Sequence, residues 1–117
     1  MNAQEALTLL SAVPADDFIT DSFSDRVSKC CGIGHLQRLT SEDPSDYSFK
    51  NCTDRPYFMA DGTNDIRMSS KSYIEKAHNH SAGIEHVNNG DHINGYNEPA
   101  IKDRVLHLLT DMVAAGY

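Results

Sequence analysis

Cys31 is followed by Gly32 and Gly34, a pattern that sets a thiol beside the first turn of a helix. Unpaired backbone N–H groups and the helix dipole lower a thiol pKa there, which is how several cysteine nucleophiles are activated. A base would have to come from elsewhere. His86 or His80 could serve, and His86 with Asn88 completes the chain order Cys, His, Asn of a thiol hydrolase or transferase. His86 and Asn88 are two residues apart, so one orients the other only through an irregular turn. A buried, inert cysteine is the other reading, because free cysteine is among the most core-like residues.

Six histidines and three cysteines raise metal binding next. His78 and His80 are two apart, His86 and His92 follow, and Cys30, Cys31 and Cys52 are potential thiolates of a zinc-stabilised domain. No Cys-x-x-Cys pair is present, and a helix ending at His78 would split the His78/His80 pair, so no metal or other cofactor is assigned. His35 and His107 fall on expected helices among apolar neighbours and read as satisfied structural residues. Asp16, Asp17, Asp21 and Asp25 lack the glycine and terminal glutamate of a calcium loop and read as a solvated face. There is no Walker loop, dinucleotide fingerprint or serine elbow.

Recognition chemistry concentrates in residues 41 to 70. Tyr47, Phe49, Tyr57 and Phe58 are spaced among turn formers, suiting either a short β-hairpin or aromatic plugs on the core. Tyr47, Tyr57 and Phe58 are the expected anchors of a binding surface, with Arg55 and Arg67 able to pair with an anionic ligand or acidic patch.

The elements that must position these groups are helices. Asn2 and Glu5 form a capping-box pattern, after which Ala3, Ala6, Leu7 and Leu10 recur at helical spacing to about Val13, where Pro14 intervenes. Cys30 to Leu39 supports a second helix whose two glycines need a packing reason. Ser70 to His78 supports a third, followed by a short apolar pair, Ile84 and Val87. Asn88 to Asn97 must turn, with Asn88 bonding backbone groups there, so that Asn88→Asp should be tolerated better than Asn88→Ala. Pro99 suits a first helical position. Ile101, Val105, Leu108, Leu109, Met112 and Val113 then mark one face of a terminal helix closed by Gly116. The expected fold is one mainly α domain over residues 1 to 117, with about four helices and a loop-rich middle.

A chain of 117 residues supports one modest core, and 39% hydrophobic with 23% charged residues is globular. No apolar run nears the roughly 18 residues of a membrane span, and Asn2, Gln4 and Glu5 do not form a basic leader. A cytoplasmic setting with reduced thiols follows. The net charge of −7, with scattered basic residues, argues against direct nucleic-acid binding and suits docking on a basic partner.

Three stretches, Cys31-Gly32-Ile33-Gly34-His35-Leu36, Ile84 to Asp91 and Val105 to Leu109, together resemble a family of small bacterial and phage proteins of unknown function. In that family a Cys-x-x-Gly-x-Leu helix start is followed by an apolar-Asn-Asp turn and an amphipathic terminal helix. The chain departs from it in having Cys30 and Val87 where tryptophans often stand, and Asn89 where aspartate does. The resemblance implies that the asparagine turn braces the helix beginning at Cys31, and that the setting is a phage or prophage accessory factor. The function expected is that of a non-enzymatic binding or inhibitor protein acting on a host protein or a small anionic ligand.

Overall fold

The computed structural model describes residues 1–48, 61–91, 93 and 95–117, without the side chain of Asp61. The chain is mainly helical. The helices among the described residues are α1 (Ala3–Ser11), α2 (Gly32–Leu39), α3 (Asp61–His78), α4 (Ile84–Asn89) and α5 (Ile101–Ala114), with a 3-10 turn at Ala15–Asp17.

α1 starts as its sequence dictates: Asn2 Oδ1 accepts from the Glu5 N–H at 2.9 Å while Glu5 reaches back to the Asn2 N–H. The α5 stripe forms the core floor. Val105, Leu108, Leu109 and Met112 are fully buried, and Ile101 and Val113 pack at its edge. Ala3, Ala6 and Leu10 of α1, Ile33 and Leu36 of α2, Ile66 and Ile74 of α3, and Ile84 and Val87 of α4 complete the core.

Three elements differ from expectation. α3 begins at Asp61 rather than Ser70, because its buried stripe is Thr63, Ile66, Ser70 and Ile74, and two small polar residues hide the period. Ser70 is satisfied by donating to the Arg67 carbonyl (2.7 Å) and accepting from the Ile84 N–H at the start of α4 (2.9 Å). The pair Ile84 and Val87 belongs to a helix, α4, which Gly90 ends in the left-handed conformation at φ 77°. α5 begins at Ile101, capped by Ala100, so Pro99 precedes the helix instead of opening it.

Residues 41–48 are turns, with Asp43 and Asp46 each bonding a backbone N–H two residues on. Phe49, Arg55, Tyr57 and Phe58 lie outside the described residues, as does the choice between hairpin and plugs. Among the described residues no helix is long and apolar enough to cross a membrane.

Candidate recognition face

Cys31 caps α2. Its sulfur accepts from the Gly34 N–H at 3.4 Å and the residue is 2% exposed. The partner that reaches this helix start is Asn88 rather than His86: Asn88 Oδ1 accepts from the Gly32 N–H (2.9 Å) and Nδ2 donates to the Ile19 carbonyl (2.8 Å). Asn88 therefore braces the helix across the core from within α4, and its Nδ2 also lies 3.4 Å from Asn89 Oδ1. His86 faces another way, with Nδ1 accepting from the Gly83 N–H at 3.0 Å. An acceptor nitrogen carries no proton, so its 3.7 Å separation from Glu85 is proximity rather than an ion pair.

The glycine at position 34 has its packing reason. A Cβ there would stand 1.9 Å from the Phe23 carbonyl oxygen, because the chain entering α2 folds back over it. Phe18 and Ser24 bridge Cys30 in this segment, and the Cys30 N–H donates to the Asp17 carbonyl (3.1 Å). Burial pushes the Cys30 thiol up to about 11, with a hydrogen bond from Ser24 opposing, so it stays protonated and inert.

Below Cys30, His35 and Arg38 lock together. Arg38 Nε donates to His35 Nδ1 (2.9 Å), leaving Nε2 to donate to the Asp17 carbonyl (2.8 Å). Both His35 nitrogens are thus used in the neutral ring, and burial moves its pKa down to about 4. His35 is a satisfied core residue, as its sequence setting indicates. Arg38 goes on to donate to the Pro44 carbonyl (3.1 Å), and its guanidinium lies 4.9 Å from the centroid of the Tyr47 ring. Tyr47 is half-buried, and its carbonyl accepts from Ser24 Oγ.

Ser24 and Tyr47 thereby join the 41–48 segment to a loop that sequence reasoning passed over. Asp25 Oδ1 accepts from the N–H groups of Val27, Ser28 and Lys29 (2.8, 2.9 and 2.9 Å). Ser24 Oγ accepts from the Arg26 N–H (2.8 Å), and the Asp25 N–H donates to the Lys29 carbonyl (2.9 Å). The bonds from Lys29, Val27 and Ser28 hold the Asp25 carboxyl below its ordinary pKa. Arg26 takes the left-handed conformation at φ 64°. At the apex of this pinned loop Val27 is 77% exposed. A signal was present in the sequence: Ser24-Asp25 is a pair of side chains of the kind that bond backbone a few residues on, with the apolar Val27 following two places later.

The remaining expected site residues separate. Arg67 lies on α3 with Nε 3.4 Å from Glu85 Oε1, so it belongs to an α3–α4 contact. His80 is exposed between α3 and α4. His107 is exposed and near Glu98 (3.0 Å) and Asp111 (3.5 Å). Among the described residues no group of three His, Cys, Asp or Glu side chains could hold a metal ion. No family model, curated protein or solved structure matches the chain.

Proposed function

We propose that the chain is a non-enzymatic binding protein that engages a protein partner through the face made by the loop at 24–29 and the segment at 41–48. The observation that carries this reading is Val27, a bare aliphatic side chain held out to solvent on a loop whose backbone N–H groups are already bonded to Asp25 and Ser24. Ordering before contact lowers the entropic cost of binding, and an exposed apolar tip gains by entering a pocket. Arg26 and Lys29 flank the tip while Glu42, Asp43 and Asp46 are exposed on the neighbouring segment, so the fitting socket is apolar with a rim of mixed charge. Tyr47 stays in the reading as a ring beside that loop. Arg55, Tyr57 and Phe58, outside the described residues, stay in the reading as contacts expected from the sequence.

The groups that suggested hydrolysis weigh toward structure. Cys31 is a buried helix cap and Cys30 a protonated core thiol, while His86 Nδ1 accepts a backbone bond. The resemblance to small phage proteins supplies a setting, a cytoplasmic accessory factor that inhibits or sequesters a host protein. Photo-crosslinking from position 27, compared with position 72 on the exposed side of α3, tests it in host extract. One protein captured from position 27 and not from 72, and competed off by unlabelled wild type, fits the reading. The same captured proteins from both positions would refute it.

A further inference from the structure

A second face, lined by none of the residues of that loop, carries an open cavity. The cavity, of about 350 Å³, lies between the C-terminal half of α3 and the end of α5, lined by Tyr73, Lys76, Ala77, Ala115, Gly116 and Tyr117. Its size falls at the lower end of the roughly 300–1,000 Å³ typical of ligand pockets. The wall is preformed. Tyr73 and Tyr117 meet edge to face, centroids 5.5 Å apart at 80°, and Tyr73 also meets the His78 ring edge to face at 6.0 Å. Tyr117 is anchored in turn, its N–H donating to the Met112 carbonyl (2.9 Å) and its carbonyl accepting from the Ala3 N–H (3.3 Å). Gly116, at φ 89°, turns the chain away from α5 and leaves open space where a Cβ would stand.

We propose that this cavity binds a small, flat aromatic monocarboxylate. Two phenol rings and two alanine methyls present apolar surface to a planar body. Lys76 supplies the charge: it makes no hydrogen bond or ion pair among the described residues, and none of the six lining residues carries a carboxylate side chain. A single ammonium suits a single negative charge. The helix ends nearby are the C-terminal ends of α3 and α5, whose dipoles oppose any anion and a multiply charged one, such as a phosphate ester, most strongly, so the single charge must sit outward at Lys76. The ligand's ring therefore lies against Tyr73 and Tyr117 and its carboxylate points outward to Lys76.

Titration with sodium naphthoate, followed in the amide NMR spectrum, tests the site. Saturable shifts at Lys76, Ala77, Ala115 and Gly116 are expected. Neutral naphthol and ring-free acetate should each bind at least tenfold more weakly, as should naphthoate with the Lys76→Met variant. Lys71→Met, which removes a charge on α3 outside the cavity, should bind as wild type does. Lys76 is exposed, so its replacement leaves the fold intact. Shifts that never saturate, shifts centred elsewhere, equal affinity in Lys76→Met, or tighter binding of naphthylmethylammonium at the same residues would each overturn the proposal.

Discussion

Asn88 shows what a single polar side chain does in this core. Its oxygen accepts from Gly32 and its nitrogen donates to Ile19, so it needs both ends. Aspartate keeps the acceptor but sets a carboxylate against the Ile19 carbonyl, so Asn88→Asp should be no better tolerated than Asn88→Ala. Each should cost about 1–3 kcal/mol in denaturant melts, the range for leaving a buried group unpaired. A wild-type stability for Asn88→Asp would remove the donor role. His35 gives a pH dependence with a definite sign. Its folded pKa of about 4 lies below the ordinary 6.5, so the unfolded chain binds the proton first. The stability it contributes is complete above pH 6.5 and is lost as pH falls toward 4. Between pH 7 and 5 the loss should be about 2 kcal/mol, and His35→Gln should flatten that slope. Arg104 is the residue that sequence reading had no means to place. It is buried, and its guanidinium donates to the carbonyls of Val87 (2.7 Å), Asn88 (2.6 Å), Glu98 and Pro99 (both 3.1 Å). Its partners are backbone groups at the end of α4 and in the loop before α5, which no residue type announces.

Elements were legible where their buried positions are apolar. α5 reads directly because Val105, Leu108, Leu109 and Met112 all face the core, and Leu108→Ala should cost about 2–5 kcal/mol in a denaturant melt. A change below about 0.5 kcal/mol would place Leu108 on the surface instead. The first half of α3 was hidden because Thr63 and Ser70 occupy its buried stripe. α2 was legible with its glycines unexplained, since the reason for Gly34 is a carbonyl from a different segment and a Cβ at Gly32 would make only ordinary contacts. Gly34→Ala must move the Phe23 backbone, and its cost should reach or exceed the roughly 3 kcal/mol upper range of core overpacking. A thermal melt matching wild type would mean that the segment over α2 yields freely. The loop at 24–29 was least legible. Asp25 looked like one more solvated acid, whereas its carboxylate organises the backbone that presents Val27.

At the scale of the molecule, Cys30, Cys31 and His35 face inward and an apolar tip, Val27, faces outward. Asn88 ties α4 to α2 and Arg104 ties α5 to α4, while Cys30, Cys31 and His35 are buried where the segment before α2 packs on it, and that frame carries the loop at 24–29 on its edge. On the proposed function, this loop does the binding. The most direct test is the affinity of the purified crosslinked partner for wild type, Val27→Asp and Ser72→Asp. Both replaced residues are exposed, so both variants should melt as wild type does. Val27→Asp should weaken binding at least tenfold, about 1.4 kcal/mol, with Ser72→Asp unchanged. Unchanged affinity in Val27→Asp, or an equal loss in both variants, would contradict the account.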